Sequence, residues 1–159
     1  MPCIRGEHYG RAALVQVAII DAARHKAHRE SKAPVLTGVR PFLALFDTGA
    51  SSTMISSRVV TELGLQPISR RRYAALGGPI TRDTYLFHVA FYSGRVPQLV
   101  NQDHDAPEAI EISRIHVCSR VINGGEIDDG QSFEVLLGMD VITSGTRVID
   151  KNGGFSFTY

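Results

Sequence analysis

Short apolar runs separated by polar, glycine-containing segments dominate the chain. The longest lie at residues 14–20, 41–46, 85–92 and 133–137. Runs of this length, rich in β-branched and aromatic residues and bounded by turn residues, are typical of β-strands. Fifteen glycines spread between the runs indicate many tight turns. The pattern therefore predicts an all-β domain, mainly β with one or two short helices.

Helix boundary signals occur at two places. Ser56 and Ser57 can cap the amino terminus of a helix over residues 58–63, and Gly64 can end it. Asp140 is expected to cap a second short helix, which would end at residue 145.

Turn residues divide the remaining strand-like segments. The expected turns lie at residues 77–79, 123–125, 128–130 and 151–154. The first and last of these separate β-prone runs and therefore predict two hairpins. Further strands are expected at residues 35–37 and 110–121, with a loop over residues 93–107.

Length and composition indicate one ordinary globular domain. The chain has 159 residues and a formal net charge of +1, which gives no electrostatic case for nucleic acid or a membrane surface. Residues 1–11 are mixed in character and are expected to form a flexible segment before a domain over residues 12–159. Cys3 and Cys118 do not make a disulfide framework, so free thiols and a cytoplasmic location are expected.

Three polar clusters suggest chemistry only weakly. His25 and His28 could share a helix face and hold a metal ion, but no further ligand stands at a suitable spacing, which favours a solvated loop or helical turn. The basic run at residues 70–72 and the acidic cluster at residues 103–105 are interpreted as solvated surface. We expect neither a metal nor another cofactor.

Asp47 stands where the apolar run of residues 41–46 ends, followed by Thr48, Gly49 and Ala50. A carboxylate at the end of a buried strand must be paired, neutralised or used chemically. Asp-Thr-Gly also forms ordinary turns. Here apolar residues lead both into and out of the segment, which a solvent-facing turn does not need, so a catalytic interpretation is favoured.

The segment over residues 44–55 resembles the active-site loop of aspartic proteases, and Ala50 is typical of the retropepsin-like, or retroviral-type, branch. Leu136, Leu137 and Gly138 are similar to the retropepsin segment that passes beside this loop. The resemblance implies a retropepsin-like acid protease barrel with one lobe per chain, as in bacterial single-domain members. It also implies a flap that closes over bound peptide, and the corresponding residues are Leu76, Gly77, Gly78, Pro79 and Ile80.

The activity implied by this resemblance is that of an aspartic endopeptidase acting on a peptide or protein substrate. In that family two aspartates share a proton and activate one water. This chain carries one copy of the loop, so the resemblance implies a homodimer with Asp47 from each subunit. Asp140 is not expected to be the second acid because it lacks the following Thr-Gly, and residues 155–159 are expected to join a dimer sheet. The alternative is a non-catalytic peptide-binding or regulatory domain that retains the fold.

Overall fold

The computed structural model describes residues 3–9, 12–31, 39–75, 77–93, 114–149 and 154–158. These residues form eleven strands and three helices. The elements are β1 (Cys3–Tyr9), β2 (Ala12–Asp21), α1 (Ala22–Ser31), β3 (Phe42–Phe46), β4 (Met54–Ser56), α2 (Ser57–Leu63), β5 (Ser69–Tyr73), β6 (Ile80–Ser93), β7 (Arg114–Val117), β8 (Ile122–Ile127), β9 (Val135–Leu137), α3 (Met139–Ile142), β10 (Thr146–Ile149) and β11 (Gly154–Thr158). The prediction of a mainly β domain with short helices is confirmed.

Six strands pair into a closed ring in the order β2, β3, β9, β4, β8, β6 and back to β2. Within the ring, β9 lies between β3 and β4, parallel to the first and antiparallel to the second. Leu136 of β9 therefore pairs with both Leu45 and Met54. Because residues 47–53 connect β3 to β4, this connection must arch over the carboxyl end of β9.

The core lies inside this ring and extends to its outer face at β2. Val17 and Ile19 of β2 belong to the main core, while Ala18 and Ile20 pack in a second cluster on the opposite face. Successive side chains of a strand point to opposite faces, so a run that is apolar throughout marks a strand covered on both sides. This explains why residues 17–20 lack polar alternation.

A smaller set of strands extends the sheet beyond β2 in the order β10, β11, β1. Phe157 of β11 is fully buried, and its ring lies 5.3 Å from that of Phe46 and 5.5 Å from that of Phe91. The predicted hairpin of β10 and β11 is present in the described residues. However, β11 pairs on both sides with strands of its own chain, so the expectation that residues 155–159 join a sheet between subunits does not hold in this structure.

The amino-terminal segment also differs from expectation. Residues 3–9 form β1 and pair with β11 from Cys3↔Thr158 to Glu7↔Gly154, whereas the sequence suggested a flexible segment over residues 1–11. Arg5, Glu7 and His8 give β1 no alternating apolar pattern. Its longer pairing is with β11, more than a hundred residues away in the chain, which local sequence cannot indicate; its pairing with the neighbouring β2 covers His8 and Tyr9.

The sequence predicted the helix α2 correctly but not the full length of the helix α1. For α2 both boundary predictions are confirmed: the Ser56 hydroxyl accepts a hydrogen bond from the Val59 amide, and Gly64 ends the helix with a φ of 63°. In contrast, α1 is a helix of 10 residues without a buried side chain, where a solvated loop or helical turn was favoured. No helix in the described part of the chain is long and apolar enough to cross a bilayer.

The predicted turn at residues 123–125 is wrong, because these residues lie inside β8. A Cβ on Gly124 would stand 2.5 Å from the Phe87 ring, and one on Gly125 would stand 2.6 Å from the Tyr73 hydroxyl. Glycine is therefore required here by close packing rather than by a turn. The strand expected at residues 35–37, the cluster at residues 103–105 and most of the loop at residues 93–107 lie outside the described residues.

Candidate active site

Asp47 directly follows β3 and begins the connection to β4. Its amide donates to the Leu137 carbonyl at 3.0 Å, which continues the pairing with β9 by one residue. The Gly49 amide donates to Asp47 Oδ1 at 2.8 Å, and the Ala50 amide donates to the Asp47 carbonyl at 3.3 Å. The carboxylate is thus held by the backbone of its own loop.

The tip of this loop faces solvent in the single chain. Asp47 and Ala50 are partly exposed, whereas Thr48 and Gly49 are exposed. A Cβ on Gly49 would lie 3.1 Å from Asp47 Oδ1. A larger residue at this position would push against the carboxylate that its own amide binds.

Gly138 lies against the base of the loop. A Cβ on this residue would stand 2.4 Å from the carbonyl carbon of Ser52, closer than packed atoms can approach. The next amide, that of Met139, donates to the Ala50 carbonyl at 2.8 Å. The close backbone approach predicted for Gly138 is therefore confirmed, and Leu137 supplies both a buried side chain and the carbonyl that Asp47 binds.

The sequence interpretation missed the partnership between Thr53 and Asp140. Asp140 Oδ1 accepts from the Thr53 hydroxyl at 2.7 Å and from the Thr53 amide at 2.9 Å, while Oδ2 lies 3.0 Å from the same amide. The Gly138 amide in turn donates to the Thr53 hydroxyl at 3.1 Å. These bonds join the far end of the loop to the start of α3.

Asp140 is therefore not the amino-terminal cap of α3, as the sequence suggested. Gly138 occupies the cap position without a side-chain bond, and Asp140 lies in the first turn. Its carboxylate supports the loop through Thr53 instead. The available signal in the sequence was a threonine directly before the apolar pair Met54 and Ile55. Thr53 is fully buried in the structure, and a buried hydroxyl needs a partner.

The hairpin of β5 and β6 closes between Tyr73 and Ile80. Its tip includes Gly77, Gly78 and Pro79, with Gly78 at a φ of 107° where glycine is strongly preferred. Leu76 lies outside the described residues. The basic run of residues 70–72 belongs to β5 and is exposed, as predicted.

Tyr73 connects this hairpin to the barrel. Its ring packs against Gly125, and Gly125 pairs with Met54, the first residue of the strand that leaves the loop. Burial raises the pKa of Tyr73, although the Arg71 guanidinium acts in the opposite direction.

The chemistry available at the loop is that of one backbone-held, solvent-accessible carboxylate with a neighbouring hydroxyl. Such a group can accept or donate a proton. Both oxygens of Asp140 face Thr53, and the described residues contain no cluster of three or more potential metal ligands.

Comparison with known proteins supports this interpretation of the loop. The sequence model of an aspartyl protease family matches residues 33–141. No curated protein matches the sequence significantly.

Among solved structures, the chain is similar to a retropepsin-like aspartic protease from Rickettsia conorii. The two chains share 12% sequence identity, with a TM-score of 0.48. The similarity covers 99% of this chain and 91% of the other. The family match spans more than half of the chain and includes both the Asp47 loop and Gly138, so this chain belongs to the aspartyl protease family.

Proposed function

We propose that the protein is an aspartic endopeptidase in which Asp47 carries the chemistry. The observation that supports this most directly is the geometry of the loop: Asp47 Oδ1 accepts from the Gly49 amide at 2.8 Å while the carboxylate remains partly exposed. A merely structural aspartate in a turn would need no support from Gly138, Thr53 and Asp140. Membership of the family supplies the reaction class, hydrolysis of a peptide bond in a protein or peptide substrate.

The proposed mechanism uses two Asp47 residues, one from each subunit of a homodimer. One carboxylate removes a proton from water as the water attacks the scissile carbonyl, and the other, protonated, donates to the carbonyl oxygen. Two carboxylates at about 3 Å share a single proton because both cannot ionise cheaply. Thr48, Gly49 and Ala50 would hold each carboxylate, and Leu136, Leu137 and Gly138 would support the loop.

Two features of the chain favour a shared site. It contains one Asp-Thr-Gly-Ala loop, and the tip of that loop is exposed in the single chain. A two-fold axis beside the tip would bring the two copies of Asp47 together and cover Thr48 and Gly49.

The flap and the location of the protein stay predictions. The described part of the flap is Gly77, Gly78, Pro79 and Ile80. It closes a hairpin whose last residue before the tip turn, Tyr73, packs on Gly125. Closure of such a hairpin over peptide would exclude water from the reaction. A cytoplasmic location is proposed because two cysteines in 159 residues do not make a disulfide framework.

The direct test is Asp47→Asn, which keeps the size of the side chain and its acceptor oxygen but removes the ionisable group. We expect peptide-bond cleavage in a mixed peptide library, followed by mass spectrometry, to fall at least about a thousandfold with folding retained. Asp128→Asn is the matched control because that carboxylate is exposed and, among the described residues, pairs with Arg82 alone, at 2.7 Å.

An unchanged rate in the Asp47→Asn variant would refute the assignment. If the wild-type protein instead bound peptides from the library without cutting them, the fold would serve as a peptide-binding or regulatory domain. An active-site inhibitor of aspartic proteases separates true cleavage from a contaminating peptidase.

A further inference from the structure

An open groove with a volume of about 680 Å³ lies between α1 and the outer face of the barrel. It is lined by α1, by β6 and by the connection from β7 to β8. None of the residues assigned to the Asp47 loop or to the flap contributes to it. The groove is therefore separate from the candidate active site.

The floor of the groove is apolar and unusually exposed. Leu86 is 38% exposed and Val121 is 45% exposed, and these are two of only four large exposed hydrophobic residues in the described part of the chain. Ala22 and Ala23 of α1 leave room above them. Apolar side chains left in a concave surface favour a ligand with an apolar body.

The rim of the groove is positively charged. Lys26 and Arg29 line it, and the carboxylate that lines it with them is that of Glu30, 3.9 Å from the Lys26 ammonium. Arg29 forms no ion pair within the described residues. Two cations and one carboxylate leave a net positive charge, which favours an anionic group on the ligand.

Two histidines complete the groove. The His25 and His88 rings lie with their centroids 4.2 Å apart. His88 is only 5% exposed, and its Nδ1 is 3.0 Å from the Cys118 carbonyl. A carbonyl only accepts, so Nδ1 of His88 carries a proton and donates to it.

The surroundings of His25 disfavour a positive charge on it. Burial, His88, Arg29 and His28 together lower the pKa of His25. The carboxylates near α1 are Glu30, which lies beside Lys26, and Asp21 at the end of β2, which accepts from the Arg24 amide at 2.9 Å. Neither is hydrogen-bonded to His25 in the described residues.

We propose that this groove binds an amphipathic carboxylate, with its apolar body on Leu86 and Val121 and its anionic group beside Arg29 and His25. A carboxylate placed there would favour the protonated form of His25 and so raise the pKa of that ring. Binding would therefore take up a proton. Affinity should be greatest below the pKa of His25 in the free protein and should fall as the pH rises from that value through the higher pKa of His25 in the complex.

The test uses octanoate, octanol and octylamine as probes of the full-length protein, followed by ¹H–¹⁵N NMR and calorimetry at pH 6 and pH 8. We expect saturable binding of octanoate that shifts the amides of α1 and residues 119–121. We expect octanol to bind about tenfold more weakly and octylamine not to bind at that face. The octanoate affinity should be several-fold higher at pH 6 than at pH 8.

Two variants and one matched control test the residues. Arg29→Gln should weaken octanoate binding about tenfold, and Val121→Asp should abolish it through charge repulsion on the floor. Arg24→Gln removes the same charge from the same helix at a position that does not line the groove, and it should change affinity less than about twofold.

Equal affinities for octanoate and octanol, or equal effects of Arg29→Gln and Arg24→Gln, would overturn the proposal. So would the absence of saturable octanoate binding at pH 6. The Asp47→Asn variant should bind octanoate as tightly as the wild type, which keeps this test independent of the proposed peptidase activity.

Discussion

The hydroxyl of Thr53 is the central link between the candidate loop and α3. It donates to Asp140 Oδ1 at 2.7 Å and accepts from the Gly138 amide at 3.1 Å, in a fully buried position. Removing it leaves the buried Gly138 amide without an acceptor and takes from Asp140 Oδ1 one of its two donors, which costs more than the net value of a hydrogen bond.

We predict that Thr53→Val, which preserves the shape of the side chain, lowers the free energy of unfolding by about 1–3 kcal/mol. Urea denaturation measures the change. Thr53→Ser keeps the hydroxyl and should retain most of the stability, whereas an unchanged Thr53→Val together with a destabilised Thr53→Ser would show that the methyl packing, not the hydroxyl, matters.

Cys118 gives a pH-dependent prediction. Burial raises the pKa of this thiol from 9.0 to about 11. The folded protein therefore holds the proton more tightly than the unfolded chain. The resulting stabilisation is present below pH 9 and is lost as the pH rises towards the folded pKa.

The stability of the wild type should thus fall between pH 9 and 11, with a contribution from Cys118 on the order of 1 kcal/mol. Cys118→Ala should reduce the slope of unfolding free energy against pH in this range relative to the wild type. An identical slope in the wild type and in Cys118→Ala would contradict this prediction.

The residues that could be predicted from sequence are those with local causes. Ser56 and Gly64 delimit α2 because a cap and a left-handed residue act within one helical turn. Asp140 could not be assigned correctly, since its partner Thr53 is 87 residues away. An aspartate suits both a local helix cap and a hydrogen bond to a distant residue, so the residue type alone does not distinguish the two roles.

Gly124 illustrates the same ambiguity for a strand. Asn-Gly-Gly is typical of a turn, yet Gly124 lies in the strand β8. Glycine is required at this position because the Phe87 ring and the Thr53 carbonyl leave no space for a side chain. The strand β8 brings this backbone against the exit from the Asp47 loop. Its glycines therefore serve the packing of the site.

We predict that Gly124→Ala destabilises the fold by about 2–4 kcal/mol, because a Cβ would stand 2.7 Å from the Thr53 carbonyl oxygen, a backbone atom that cannot easily move. Thermal and urea denaturation give the measurement. Gly77→Ala is the matched control, since a Cβ there meets nothing within 4 Å. Comparable losses in the two variants would rule out the close contact as the cause.

The strand β2 was predictable from its sequence. The two elements that neighbour it in the chain, α1 and β1, were not. The apolar run of β2 is sufficient to specify a strand buried on both faces. In α1 no side chain is buried, so the sequence carries no apolar stripe to mark a helix. The strand β1 depends on pairing with β11, at the opposite end of the chain.

The position of β11 changes what a dimer interface can be. Phe157 packs against Phe46 and Phe91 in the core, and both edges of the strand are paired within the chain. Deleting residues 155–159 would therefore unfold the protein rather than separate subunits. The exposed tip of the Asp47 loop is the surface on which a shared site must be built.

If two chains share one active site, an inactive variant should lower the activity of the wild type when the two are mixed. In the proposed mechanism one Asp47 acts as base and the other as acid, so a dimer with a single Asp47→Asn subunit lacks one of the two roles. An equal amount of this variant is added to a fixed amount of wild type, and the subunits are allowed to exchange. Random pairing should then reduce the activity to about half, and a ninefold excess of the variant should reduce it to about a tenth. Sedimentation velocity in parallel shows that the chains are dimeric at these concentrations, and activity measured before exchange provides the control for competition over substrate. Activity that stays constant as the variant is added would mean that each chain works alone, and the second acid would then have to come from the same chain as Asp47.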